Sequence, residues 1–135
     1  MTKNNIIHFK YFPDFNEPTI LFSGGSDSYH MFADIFTNTA NTGASVRLET
    51  DTLFVAGNVS VILVRADIAK GMRKISSSRF EWTLTSEICR LFAKKIFDFS
   101  ELPVSSASHD YLDCGSLDEV QVVISRGEYD EKIFM

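Results

Sequence analysis

The chain aligns with itself, and this internal similarity constrains its fold more than any other feature of its 135 residues. Residues 20–36 align without a gap with residues 80–96, so that Phe22 falls on Trp82. Later in the chain, residues 58–66 align with residues 119–127 at an offset one residue larger. Two nearly constant offsets are more typical of a duplicated unit than of chance similarity between short segments.

Each half has the pattern of strand, helix, strand, strand. In the second half, Phe80, Trp82 and Leu84 alternate with polar residues, as the buried face of a strand requires. The cluster Thr85-Ser86-Glu87 then predicts the cap of a helix that runs to about Phe97. The first half predicts a helix from about Ser26 to Thr37 in the same way. Further strands are predicted near residues 6–12, 45–50, 58–66, 109–113 and 119–126.

Strands joined by short hairpins run antiparallel, and amphipathic helices need a sheet face to cover. The sequence therefore predicts an α+β two-layer sandwich with a mostly antiparallel sheet of six or seven strands and two helices on one face. An internal βαββ repeat would relate the halves by a pseudo-twofold axis. The predicted bounds are a single domain over 1–135, halves at 18–66 and 78–127, and a linker at 67–77. The predicted core comprises Phe22, Phe32, Phe36, Val61, Leu63, Phe80, Trp82, Phe92, Ile96, Val122 and Ile124.

Charge and composition exclude several classes of function. The net charge is −5 and no block of lysine and arginine is present, so nucleic acid is not an expected partner. The N-terminal residues have no secretory signal, and no apolar run is long enough to span a membrane, so we expect a cytoplasmic protein. The two cysteines lack metal-site spacing, and we expect neither a metal nor a cofactor.

The segment ILFSGGSDSYHMF, residues 20–32, places a glycine and serine loop between a predicted strand and a predicted helix. Its letters resemble the SGGxDS loop of the PP-loop ATP pyrophosphatase family. That resemblance implies an enzyme that binds the pyrophosphate of ATP through the helix N-terminus and the loop N–H groups. The residues that match the motif are Ser23, Gly24, Gly25, Asp27 and Ser28.

A helix cap is the alternative interpretation of the same letters. The repeat aligns Ser26-Asp27-Ser28 with Ser86-Glu87-Ile88, which predicts that both clusters begin helices. PP-loop enzymes have doubly wound parallel sheets, whereas this chain shows one further convincing helix after Phe36. The sequence therefore favours the cap and a protein that is not an enzyme.

Two sets of residues are candidates for binding a partner. On the predicted strand HDYLD, His109, Tyr111 and Asp113 share one face; a general base or metal ligand is conceivable there, but a partly exposed strand end is favoured. The second set is the sheet face that the helices leave open. It carries Ile62, Val64 and Val123 beside Arg47, Glu81 and Arg126. The acidic run 128–131 could contact a basic partner, but a solvated loop is favoured, and the apolar tail 133–135 is expected to dock on the core or on a second subunit.

The second half, from WTLTSEICRLFAKKI to HDYLDCGSLDEVQVVISRGEY, resembles small uncharacterised bacterial proteins encoded beside polymorphic toxins as immunity proteins. The residues that carry this resemblance are HDYLD at 109–113 and VQVVISRGEY at 120–129. It implies a non-enzymatic protein that neutralises a toxin by binding it. The expected partner is therefore another protein, with a homodimer as the alternative.

Overall fold

The computed structural model describes residues 6–103, 108–126 and 131–134. The fold is α+β, with two helices and two mixed sheets of five and four strands. Among the described residues, no helix has the length and apolar character needed to cross a membrane. The elements are β1 Ile7–Phe12, β2 Thr19–Ser23, α1 Ser26–Thr42, β3 Val46–Arg47, β4 Phe54–Ala56, β5 Ser60–Arg65, β6 Gly71–Lys74, β7 Arg79–Leu84, α2 Ser86–Ser100, β8 Ser108–Tyr111 and β9 Gln121–Arg126, with 3-10 turns at Leu48–Thr50 and Glu131–Phe134.

The strands form two sheets, which we name sheet A, in the order β4-β1-β2-β9-β8, and sheet B, in the order β3-β5-β7-β6. The prediction of one sheet of six or seven strands is therefore wrong. Four neighbouring pairs are antiparallel, but the central pairs β2–β9 and β5–β7 are parallel, as is β1–β4. Sequence patterns predict local hairpins, whereas β2 and β9 are about a hundred residues apart in the chain and pair across the two predicted halves.

The two sheets have corresponding strand orders. Both β1-β2-β9-β8 and β6-β7-β5-β3 consist of an antiparallel, a parallel and an antiparallel pair. The parallel pair of sheet A aligns Phe22 with Ile124, and that of sheet B aligns Trp82 with Leu63. The sequence alignment places Phe22 over Trp82 and Leu63 over Ile124. Phe22 and Ile124, which are neighbours in sheet A, are thus aligned in the sequence with Trp82 and Leu63, which are neighbours in sheet B.

The segment predicted as a linker, 67–77, contains strand β6, which pairs with β7 from Gly71 to Lys74. The sequence did not predict this strand because it is short and offers one fully buried apolar side chain, Met72, followed by the charged Arg73 and Lys74. Strand β4 was not predicted for a similar reason: it has three residues, of which Val55 is exposed. The strand expected near 6–12 is confirmed as β1.

The helices begin in different ways. At α2, the Thr85 hydroxyl oxygen accepts a hydrogen bond from the Ile88 N–H at 3.1 Å, so the predicted cap is confirmed. At α1, the residue before the first turn is Gly25, and no side chain caps the helix. The predicted cap by Ser26-Asp27-Ser28 is therefore wrong, because these residues already lie inside the first turn.

The core joins both helices and both sheets around Trp82, which is fully buried. Its ring centroid lies 5.8 Å from that of Phe22 in sheet A and 5.1 and 6.1 Å from those of Phe36 and Phe92 in the two helices. All the residues of the predicted core are buried, which confirms that prediction: Phe22, Phe32, Phe36, Val61, Leu63, Phe80, Trp82, Phe92, Ile96, Val122 and Ile124.

The face of sheet A that points away from this core, its outer face, is covered by the chain itself. Phe134 packs against Leu21 and Val123 in a second, smaller apolar cluster. Lys10 Nζ donates a hydrogen bond to the Ile133 carbonyl at 3.3 Å and so helps to fix this segment. The expected contact of the apolar tail is thus observed for residues 133 and 134, while residue 135 and the acidic residues 128–130 lie outside the described residues.

Candidate functional site

The glycine and serine loop between β2 and α1 is packed against strand β1. A Cβ atom on Gly24 would lie 2.8 Å from Ile7 Cγ1 and 3.3 Å from the Ile6 carbonyl oxygen, so glycine is required by this close approach. The Gly24 N–H donates to the Ser125 carbonyl at 3.2 Å. Ser28 is buried, and its hydroxyl lies 3.5 Å from the Ile6 carbonyl. Gly24 and Ser28 thus take part in packing and hydrogen bonding within the fold.

A buried arginine at the end of β9 contacts the same loop. The Arg126 side chain is 6% exposed, and its Nη1 donates to the Ser26 hydroxyl at 2.8 Å. It also donates to the Ser100 carbonyl at 3.2 Å and, through Nη2, to the Pro103 carbonyl at 2.8 Å. Arg126 therefore satisfies carbonyls at the end of α2 while it binds the first turn of α1.

Arg65, which the sequence alignment places over Arg126, has a similar role at the other helix. Its Nη1 donates to the Ala40 carbonyl at 3.0 Å, in the last turns of α1. The Ser86 hydroxyl, in the first turn of α2, donates to the same carbonyl at 3.2 Å. The end of α1 is thus linked to the start of α2 directly by Ser86, and the end of α2 is linked to the start of α1 through Arg126.

Tyr29 lies behind the loop, between the ends of β2 and β9. Its hydroxyl donates to the Ser125 carbonyl at 2.7 Å and accepts from the Ser125 N–H at 3.2 Å. Complete burial raises the pKa of the Tyr29 phenol far above its ordinary value, although its backbone hydrogen bonds and Arg126 oppose that rise. Tyr29 is therefore a neutral structural group and is not available as an acid or base near neutral pH.

ATP with magnesium is expected to leave the melting temperature of this protein unchanged, because the Gly24 N–H and the Ser26 hydroxyl are already bonded within the fold. A loop that held pyrophosphate would stabilise the fold by about 2.7 kcal/mol at a hundredfold excess of ligand over its dissociation constant. Differential scanning fluorimetry of the wild type and of Asp27→Ala, an exposed first-turn residue, tests this. A rise in melting temperature that Asp27→Ala abolishes would establish the phosphate loop instead.

An acidic groove lies at the opposite end of sheet A. Strands β2 and β9 are parallel and begin at this end, and antiparallel β8 finishes here, so residues distant in sequence converge. The groove has a volume of about 470 Å³. Its lining consists of Glu17, Tyr111, Asp113, Gly115, Ser116, Glu119 and Gln121.

The loop that forms one wall of the groove is held by the carboxylate of Glu119. One oxygen of Glu119 accepts from the Cys114 N–H at 2.9 Å and the other from the Ser116 N–H at 3.0 Å. The Ser116 hydroxyl donates to the Ala69 carbonyl at 3.0 Å, which ties the loop to the start of β6. At the tip of this fixed loop, Leu117 is 90% exposed. Because these hydrogen bonds fix the loop, the exposed side chain of Leu117 is available for contact with a partner.

Two backbone positions explain the shape of this loop. Gly115 has φ 77° and Asp118 has φ 64°, both in the left-handed region. Gly71, at φ 72°, lies directly beneath the loop, where a Cβ atom would collide with the Glu119 carboxylate. Glycine at 71 therefore leaves room for the group that holds the loop.

The structure brings together part of the predicted HDYLD site. Tyr111, which is 40% exposed, and Asp113 both line the groove. The ring of His109 contacts that of Tyr111 at 5.6 Å, but His109 does not line the groove. Asp110 points the other way, with Oδ1 3.5 Å from Lys95 Nζ. The predicted alternation along this strand therefore agrees with the observed contacts.

Cys114 lies next to the groove-lining residues Asp113 and Gly115, and its thiol is not activated. Burial raises the pKa of the Cys114 thiol, and Glu119 opposes its ionisation further, so the thiol stays protonated near neutral pH. Within the described part of the chain, no three His, Cys, Asp or Glu side chains are grouped as metal ligands would be. The arrangement is suited to electrostatic and apolar contacts.

The predicted open face is divided between the two sheets. Ile62 and Val64 are half-buried on the outer face of sheet B, and Arg47 and Glu81 flank Ile62 in register. Val123 belongs to the outer face of sheet A, where Phe134 covers it. Arg126, the sixth residue of the predicted set, points into the core layer. The prediction of a single shared face is wrong because it assumed one sheet.

Sequence reasoning missed Glu17, Ser116, Leu117, Glu119 and Gln121. They lie in the connection that leads into β9, at the start of β9 or just before β2, and the parallel pairing of β2 with β9 brings Glu17 and Gln121 to the same groove. The sequence did contain one signal for this site: Leu117 is the single apolar side chain in the otherwise polar turn GSLDE. No protein-family model matches this chain, and comparison with curated proteins gives no significant match.

Proposed function

We propose that this chain is a non-enzymatic protein-binding module that holds a basic segment of a partner protein in the acidic groove. The observation that carries the proposal is the fixed, exposed Leu117 beside a groove with unpaired carboxylates. Among the described residues, neither Glu17 nor Asp113 takes part in an ion pair, and Tyr111 adds an exposed aromatic ring. An apolar anchor rimmed by charge is the usual form of a protein-binding site.

The immunity role is the specific form of this proposal, in which the partner is a toxin whose basic surface the groove covers. It follows from the resemblance of residues 82–96 and 109–129 to immunity proteins and is supported by the net charge of −5. Acidic surfaces accelerate encounter with basic partners and lose that advantage as salt rises.

We also propose that the two halves are copies of one βαββ unit related by a pseudo-twofold axis. The corresponding strand orders of the sheets, the corresponding registers of β2–β9 and β7–β5, and the paired roles of Arg65 and Arg126 support this. In this arrangement the first half gives β2 to sheet A and β3 and β5 to sheet B, and the second half gives β7 to sheet B and β8 and β9 to sheet A; β4, which lies in sheet A, has no counterpart. Superposition of residues 18–66 on residues 78–126 would reject the duplication if the helices failed to coincide.

Leu117→Asp is expected to weaken partner binding by roughly 30-fold or more, as loss of a central interface residue does. The probe is a peptide selected against the wild-type protein from a random display library, and we expect it to be rich in lysine and arginine. Isothermal titration calorimetry at two salt concentrations gives the affinity. Ile75→Asp is the matched control, since Ile75 is also an exposed aliphatic residue, 59% accessible, but lies at the far end of β6.

Equal loss of affinity in both variants, or selection of acidic peptides, would refute the groove as the binding site. The immunity form has its own test, co-expression with the product of the adjacent gene. If that product inhibits growth, the wild-type chain should restore growth and Leu117→Asp should not. A product without toxicity would reject the immunity role and leave the binding module to be judged by calorimetry.

A further inference from the structure

The outer face of sheet B is a second surface, and its charge is opposite to that of the groove. One row of residues runs across all four strands in register: Arg47 on β3, Ile62 on β5, Glu81 on β7 and Arg73 on β6. Arg79 lies further along β7 on the same side, and Val64 continues the apolar centre from Ile62. The two central strands thus present Ile62, Val64 and Glu81 on this face, and the edge strands β3 and β6 present Arg47 and Arg73.

The arginines of this face have few partners within the described part of the protein. No carboxylate there lies within ion-pair distance of Arg73 or Arg79. Arg47 Nη1 is 3.8 Å from Glu49 Oε2, a long contact, and Glu49 already accepts hydrogen bonds from the Ser60 hydroxyl and the Val61 N–H. Three guanidinium groups, those of Arg47, Arg73 and Arg79, are therefore exposed on this face, which also carries Glu81, on a chain of net charge −5.

Sheet A shows how a segment covers the corresponding face. There the register row is Lys10, Leu21 and Val123, and Phe134 packs on the two apolar residues while Lys10 binds the backbone of the covering segment. In sheet B the same strand positions are Arg73, Glu81 and Ile62. A segment that binds along this row therefore needs an apolar side chain to contact Ile62 and carboxylates to pair with Arg47 and Arg73.

We propose that the outer face of sheet B binds an extended acidic segment of a partner protein. An apolar side chain of that segment rests on Ile62 and Val64, and its carboxylates pair with Arg47 and Arg73. These arginines are three strand spacings apart, about 14 Å, and an extended chain advances about 3.4 Å per residue. The two carboxylates therefore lie about four residues apart in the segment.

A second copy of this chain is a poor occupant of the face. A twofold axis along the strands would place Arg47 of one copy opposite Arg73 of the other. A twofold axis across the strands would oppose each arginine to its own equivalent. Like charges meet in both arrangements, which disfavours a face-to-face dimer. The partner is therefore a different, acidic chain.

Fluorescence anisotropy with a labelled synthetic peptide tests this proposal. The probe has two aspartates four positions apart with valines between them, and the control probe has asparagines in their place. We expect the aspartate peptide alone to bind at low salt, and Arg47→Gln combined with Arg73→Gln to weaken it by about tenfold. Arg90→Gln, an exposed arginine on α2, should leave binding unchanged.

Three results would overturn the proposal: no binding of the aspartate peptide at millimolar concentration, equal binding of the asparagine peptide, or equal loss in Arg90→Gln. Light scattering of the protein alone adds a further test. Self-association that the double arginine variant abolishes would make a second copy the occupant and would also overturn it. All substituted residues are exposed, and circular dichroism checks that each variant folds. The groove variants are separate, so failure here leaves the groove proposal intact.

Discussion

Replacing Trp82 with alanine is expected to lower the free energy of unfolding by about 3–5 kcal/mol, much of the stability of a domain this size. The side chain is fully buried, and its ring contacts Phe22, Phe36 and Phe92, so it joins a sheet A strand to both helices. Its removal leaves a cavity that rigid neighbours on three elements cannot fill. Urea denaturation followed by circular dichroism measures the loss, because Trp82 is the single tryptophan of the chain.

Two further variants make this test specific. Trp82→Phe keeps an aromatic ring and removes an indole N–H that has no hydrogen-bond partner among the described residues, so a smaller loss of about 1–2 kcal/mol is expected. Phe97→Ala removes a ring that is 48% exposed and should have little effect. If Trp82→Phe were as destabilising as Trp82→Ala, the cavity explanation would be wrong.

Arg126→Met is expected to lower the free energy of unfolding by about 3 kcal/mol. The substitution keeps most of the aliphatic volume but removes the donors that bind the Ser100 and Pro103 carbonyls and the Ser26 hydroxyl. Arg126 is 6% exposed, so water cannot easily replace it at these oxygens. The same urea titration provides the measurement.

Arg65→Met is the matched control for this effect. Arg65 donates to the Ala40 carbonyl at the end of α1, but its side chain is exposed and water can take its place. A loss of about 1 kcal/mol or less is therefore expected. Equal losses in the two variants would show that the hydrogen bonds, and not their burial, determine the cost.

Local patterns were sufficient to predict both helices, the core and most of the strands of this fold, but not the short strands β4 and β6. The alternation of Phe80, Trp82 and Leu84 predicted β7, and the capping threonine at 85 marked the start of α2. Apolar periodicity identified the buried aromatic residues because burial follows from the face on which a side chain lies. These features depend on neighbours close in the sequence.

The arrangement of the strands could not be predicted in the same way. Nothing in the residues around Thr19 indicates that they pair with Gln121, since parallel pairing depends on the path of the whole chain. The groove could not be predicted for the same reason, because Glu17 and Gln121 come together only when β2 pairs with β9. Tyr111 and Asp113 were predicted as binding candidates because they are polar residues on one recognisable strand.

The pairing of β2 with β9 has a consequence for how the chain is made. All four strands of sheet B lie between residues 46 and 84, so the ribosome has supplied them before the second helix is complete. Sheet A needs β9, which ends at Arg126, and its central strand β2 keeps an unpaired edge throughout synthesis. An apolar strand with a free edge is a site for pairing with other chains. Strand β2 is therefore an aggregation hazard until β9, about a hundred residues later in the chain, has been synthesised.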